Sequence, residues 1–262
     1  MRRGDVVEAV HHVHVRASDG TAAGEDVHCF LRSSAKPIQA IPLVDAYDDV
    51  TDGEIAIAAA SHQAEPAQLD AVRALLARAG ATEDDLECGT QEGRANGRLG
   101  HNCSGKHAGM LATCRANGWE LHPYRDLDHP LQRRIADLVA PADTATDGCG
   151  VPTFAMPLSR MTRLFGDIPP RIVGAMTAHP DLVGGQGADD TDLMRALPGW
   201  AAKRGAEGLF CARSPGGEGY VFKVEDGSTR ALRPAIGQVL GVDAFRTVEM
   251  RNTRGDLVGS IQ

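Results

Sequence analysis

Strand-like segments sit at both ends of this 262-residue chain and helix-like segments fill its middle, an order that few folds can satisfy. Val6 to Val15 alternates apolar and polar residues, and Val27 to Leu31 is a second short apolar run. With Asp19-Gly20 and Gly24 as turn signals between them, the two predict a hairpin. Near the other end, Gly208 to Ala212 and Tyr220 to Val224 read as strands, and Asp226-Gly227 as a turn toward Thr229 to Leu232. Leu257 to Ile261 reads as a last strand. Helical periodicity covers Glu54 to Ala60, Pro66 to Ala79, Gly105 to Asn117, Pro130 to Ala140, Pro157 to Phe165, Pro169 to Ala178 and Thr191 to Leu197. One mainly antiparallel central sheet, drawn from both chain ends and flanked by helices, accommodates this order: an α+β fold in α/β/α layers. At this length a single domain over residues 1–262 is expected. The alternative is a sheet-bearing lobe from 1–50 and 200–262 with a helical lobe from 51–199.

Charge and composition narrow the function classes. The net charge is −8 and no Lys/Arg-rich run could follow a phosphate backbone, so nucleic acid is not an expected partner. No stretch approaches a membrane span, and Met1 to Val15 breaks into His and Glu where a secretory signal needs a continuous apolar run. A soluble, cytoplasmic protein is expected. Six cysteines, at 29, 88, 103, 114, 149 and 211, form no CxxC pair and no dense framework, which fits reduced thiols.

Directly after the second predicted strand comes Arg32-Ser33-Ser34-Ala35-Lys36-Pro37, with hydroxyl N-caps and a proline in the first turn of a helix. Ser33 and Lys36, three apart on a helix, share a face near the positive end of the helix dipole. A serine alcohol needs a neighbour to take its proton, and a lysine can do so when burial and nearby cations lower its pKa. Serine acyl-transfer enzymes with a Ser-x-x-Lys motif use that pair. The plain reading of the same four residues is an N-cap and a surface lysine. Two further segments, His101 to Met110 and Thr146 to Thr153, each set a cysteine among glycines and polar groups, a composition that lets backbone approach a ligand closely. After Cys103, either Lys106 at i+3 or His107 at i+4 could share a ligand with it, and Cys149 would make a third donor for a zinc ion with an open position. The plain reading is two small buried thiols.

Taken together, Phe30 to Pro37 with Gln39-Ala40, Ala60-Ser61-His62 with Glu65-Pro66, Asn102 to Leu111, Asp147 to Thr153, and Lys203 with Gly205 to Gly208 resemble, in order, the Rhizobium etli type of L-asparaginase, the asparaginase II family. The resemblance runs from about Gly4 to Pro234. It implies a fold similar to serine β-lactamases and glutaminases, assembled as a homodimer. It further implies Ser33 as nucleophile with Lys36 as its partner, a second pair of Ser61 and Lys203, and zinc held by Cys103, Lys106 and Cys149. Asp147 is expected to bind the substrate's ammonium or a metal-bound water. Arg32 is a candidate for the substrate carboxylate, with a structural salt bridge as the alternative. His62 is a candidate for orienting substrate, with a structural role as the alternative. The sequence also departs from the pattern of its relatives. Cys88 to His101 is short, His11-His12-Val13 stands where many members have His-Arg-Gly, and Ala188 replaces an arginine before Asp190-Thr191.

The expected activity is hydrolysis of the L-asparagine side-chain amide to aspartate and ammonia through an acyl-enzyme. A glutaminase or other small-amide hydrolase is the alternative, because one methylene is worth only about 1–3 kcal/mol of discrimination. From other classes, a non-catalytic zinc- or amino-acid-binding protein of the same fold is opposed by the two Ser-Lys pairs. A peptidoglycan-acting, β-lactamase-like enzyme is opposed by the lack of an export signal.

Overall fold

The structure, a computed structural model, describes residues 1–262. Its main sheet has five strands in the order Ala22–Ala23, Val13–Ala17, Gly219–Val224, Leu209–Arg213, Ala201–Arg204, every neighbouring pair antiparallel. The two chain ends thus meet in one sheet, as their alternating patterns predict. Cross-strand partners share a face, so Val15, Phe222 and Phe210 lie on one side, while Val221, Cys211 and Lys203 lie on the other. The helix Leu158–Gly166 packs against the central strands on the second side. Gly219 permits that approach: a Cβ there would lie 1.9 Å from the Thr162 carbonyl oxygen. One contiguous apolar core runs from Val15 to Phe245.

Three expectations need correction. Val27 to Leu31 does not close a hairpin on Val6 to Val15. Across the Asp19-Gly20 turn, Val13–Ala17 meets only the two residues Ala22–Ala23, while His28–Phe30 pairs with Pro152–Pro157 in a separate three-stranded sheet. Thr229 to Leu232 is not a strand but a 3₁₀ turn leading into the helix Leu232–Leu240. The extreme ends also form a sheet of their own, Val248–Arg251, Leu257–Ile261, Arg2–Arg3 and Val6–Val7.

The middle of the chain carries most of the predicted helices within one or two residues, including Asp52–Ala58, Pro66–Ala79, Ser104–Asn117 and Pro130–Val139. Capping explains the agreement: a Thr51–Glu54 capping box opens the first, and Gly80 and Gly118, both left-handed, close the second and third. The helix Ser104–Asn117 is buried from Ser104 to Cys114. A Cβ on Gly105 would lie 2.2 Å from the Ile57 carbonyl oxygen, so only glycine lets this helix start press against the residues leading to Ser61.

Candidate active site

Four segments converge. The first leaves His28–Phe30 through Arg32, whose φ of +48° is a left-handed conformation costly for a side-chain-bearing residue. It then forms the 3₁₀ turn Arg32–Ala35 and the short helix Lys36–Gln39. No side chain caps this turn, so Ser33 and Ser34 are not the N-caps expected of them. Ser34 is buried and donates to the Lys203 carbonyl (3.1 Å), tying the turn to the edge strand Ala201–Arg204. Ser33 is half-buried, and its hydroxyl has no hydrogen-bond partner within the protein.

Lys36, only 1% exposed, sends its Nζ to the Ala60 carbonyl (2.6 Å), Ser61 Oγ (2.9 Å) and the Asn102 carbonyl (3.4 Å). Three acceptors satisfy one ammonium. Burial pulls the pKa of Lys36 down and the charge of Lys106 adds to that, outweighing the sulfurs of Cys103 and Cys149. Lys36 is thus a buried amine with Ser61 as its direct hydroxyl contact and the unpartnered Ser33 one turn before it.

Lys203 is fully buried and bonds Asp190 Oδ2 (3.0 Å) and the Arg204 carbonyl (3.0 Å), not Ser61. Asp190, also fully buried, lies in the first turn of the helix Asp189–Ala196 and has no role in the sequence reading. Burial alone would raise its carboxyl pKa, but Lys203 and Arg204 bring it below the usual range, so it stays ionised. Burial pushes Lys203 down to about 8 against the opposing pull of Asp190. The only sequence signal for this pair was the Asp190-Thr191 dipeptide after Ala188. No spacing rule connects residues 190 and 203, which meet because the helix packs on the edge strand.

The third segment is a β-hairpin, Asp143–Thr146 with Pro152–Pro157, whose turn carries Asp147 and Cys149. Gly150, at φ +87°, closes it with an N–H to the Asp147 carbonyl. Pairing of Pro152–Pro157 with His28–Phe30 lays this turn beside Arg32, and Arg32 Nε donates to Asp147 Oδ1 (2.7 Å). Two residues considered for substrate binding thus hold each other. Although burial opposes it, Lys106, the Gly148 N–H and Arg32 keep the Asp147 carboxyl below its ordinary range.

The fourth segment is the start of Ser104–Asn117. Cys103, Lys106 and Cys149 are all buried and adjacent, and Lys106 Nζ lies 3.0 Å from Cys149 Sγ. A hydrogen bond with Cys149, then the charges of Lys36 and Lys106, hold the Cys103 thiol well below its ordinary pKa against the effect of burial. His107 Nδ1 is bonded to the Tyr124 hydroxyl (2.7 Å), while its buried Nε2 has no hydrogen-bond partner. No group of three His, Cys, Asp or Glu side chains is arranged to hold a metal. What converges is two sulfurs and an amine, with an unsatisfied imidazole nitrogen next along the helix.

Both ring nitrogens of His62 are taken up within the protein. It is fully buried, its Nδ1 accepts the Ala64 N–H (3.1 Å), and its Nε2 donates to Ser104 Oγ (2.8 Å), which itself donates to the Leu99 carbonyl. Burial first, then the charges of Lys36 and Arg94, lower its pKa to about 3, so it is neutral and both ring nitrogens are used. His62 fixes the backbone beside Ser61.

Against known families, residues 1–261 match the model of L-asparaginase II. The chain belongs to the L-asparaginase II family. Among individually curated proteins none matches. Membership makes this an asparaginase-type amidohydrolase acting on a small molecule. No helix is long and apolar enough to cross a membrane.

Proposed function

We propose that this L-asparaginase II family member hydrolyses the side-chain amide of L-asparagine to aspartate and ammonia by acyl transfer to Ser33. The observation that carries this reading is the buried Lys36, its pKa lowered, lying 2.9 Å from one serine hydroxyl and one helical turn from a second, unpartnered one. Lys36 in its neutral form takes the Ser33 proton as Oγ attacks the amide carbon, with N–H groups of the 3₁₀ turn facing the developing oxyanion. Ser61, bonded to Lys36, relays a proton to the departing ammonia, and charged Lys203 supplies positive potential behind it. Water then reverses these steps on the ester. A second reading, with Ser61 as nucleophile, is favoured by the same 2.9 Å contact. Ammonia release measured over a panel of L-asparagine, L-glutamine and simple amides tests the substrate. L-Asparagine is expected to lead in kcat/KM, and a lead for glutamine would make the chain a glutaminase.

We further infer a zinc ion held by Cys103, Lys106 and Cys149, the donor set being two sulfurs and an amine that must lose its proton to bind. When bound, zinc would supply Lewis acidity or fix the pocket's shape. The protein's part is to bury these donors and steer Asp147 toward them through Arg32. Chelation is expected to raise KM for asparagine and lower the melting temperature. A protein free of zinc by elemental analysis yet fully active would sink the inference. Family resemblance and the five-stranded antiparallel sheet support a fold similar to serine β-lactamases and glutaminases. The resemblance also supports a cytoplasmic homodimer.

A further inference from the structure

Three arginines border the site, and they differ in what already neutralises them. Arg32 is paired with Asp147 at 2.7 Å. Arg204 lies 3.9 Å from Asp190 and donates to the Ser61 and Gly184 carbonyls. Arg94 has no carboxylate partner. The one hydrogen bond of its side chain is a long one, from Nη1 to the carbonyl of His62 (3.3 Å), the residue directly after Ser61. It is half-buried, and its other guanidinium donors are unused.

The segment that presents Arg94 is the stretch from Cys88 to His101, and it is built rather than loose. Glu83 Oε1 accepts the Arg98 and Leu99 N–H groups at its base, while the Arg98 side chain bonds the Leu86 carbonyl (3.1 Å). Gln91 Oε1 accepts the Asn102 N–H (3.0 Å), one residue before Cys103. Asn96 and Gly97 both adopt positive φ to turn the chain back, and a Cβ on Gly100 would lie 1.8 Å from the Ala95 carbonyl oxygen. The stretch is thus fastened on one side of Arg94 by Gln91 and on the other by Glu83, which fixes where the guanidinium stands.

We propose that Arg94 is the anchor for the substrate's α-carboxylate. This rests on the asparaginase reading above: an amino-acid amide brings one carboxylate into the site, and Arg94 is the bordering guanidinium whose fork is free for a bidentate pair. The stretch from Cys88 to His101 holds a cation beside the residue that follows Ser61, so the residue that selects amino-acid amides over plain amides lies outside the Ser-Lys motifs.

The test is a kinetic split. Arg94→Gln, which keeps a donor for the His62 carbonyl, is expected to raise KM for L-asparagine about 10- to 100-fold, the loss of one charge-assisted pair, with kcat little changed. Arg94→Lys recovers part of that loss. The rate on 3-aminopropanamide, which keeps the amide and amine but lacks the carboxylate, is the same in wild type and variant. An unchanged KM for asparagine, or an equal loss on both amides, overturns the anchor alone. Absence of asparagine turnover in the wild-type protein overturns the asparaginase reading and the anchor with it. Thermal melting of each variant, expected near the wild-type value, separates binding from folding.

Discussion

Replacing Ser33 by alanine is expected to lower kcat for L-asparagine by on the order of 10⁴-fold or more while leaving the fold intact, because in the proposed mechanism the loss of this nucleophile removes a covalent route that no other step restores. The half-buried Ser33 hydroxyl has no protein partner to lose, so its removal leaves no unsatisfied group and the melting temperature should hold. Trapping with hydroxylamine sharpens the result: wild-type protein yields the aspartyl hydroxamate and Ser33→Ala does not. Ser61→Ala is expected to slow turnover less severely, since it removes a proton relay and leaves Lys36 one acceptor short. If the two variants behave the other way round, Ser61 is the nucleophile.

Breaking the Asp190–Lys203 pair should give the largest change in stability. Both side chains are fully buried, and removing one partner leaves a charge with no counterion in the interior, at a cost of about 3–5 kcal/mol. Asp190→Ala is therefore expected to lower the midpoint of chemical denaturation sharply. Asp190→Leu combined with Lys203→Met should recover most of that stability yet not the activity. That double variant separates a structural contribution from a chemical one. The two shifts also set the pH dependence. The depressed Asp190 carboxyl contributes stability that is present above its unfolded value of 3.8 and is lost as pH falls through its folded value. Lys203, lowered from 10.5 to about 8, binds its proton less tightly folded than unfolded, so stability rises with pH between about 8 and 10.5. A chemical role for charged Lys203 predicts that kcat falls above about pH 8, and a flat profile there would exclude it.

Much of the fold could be read from local pattern because local pattern formed it. Pro66–Ala79 and Ser104–Asn117 announce their ends with proline, a capping box or left-handed glycine, and those devices act within a turn of the residues that encode them. The hairpin bearing Asp147 and Cys149 was harder to see. Its strand Asp143–Thr146 is exposed throughout and has no apolar alternation, so it is a strand only because Pro152–Pro157 pairs with it. Thr229 to Leu232 misled for the opposite reason: Asp226-Gly227 does turn the chain, but it delivers a 3₁₀ turn and a helix instead of a returning strand.

The sequence by itself determined the chemistry on offer. A serine three residues before a lysine at the end of a strand and two cysteines among glycines are legible from residue type and short spacing, whereas Ser61 and the distant Lys203 are implied only by the resemblance of several motifs in one order. Only the tertiary structure decided who touches whom. Lys36 reaches Ser61 rather than Ser33, Lys203 is held by Asp190, Arg32 closes on Asp147, and His62 bonds Ser104. Each of those contacts joins separate segments of the chain, and its partner is chosen by how helices and strands pack. Local sequence specifies the segments, and the burial of one shared core specifies their meeting.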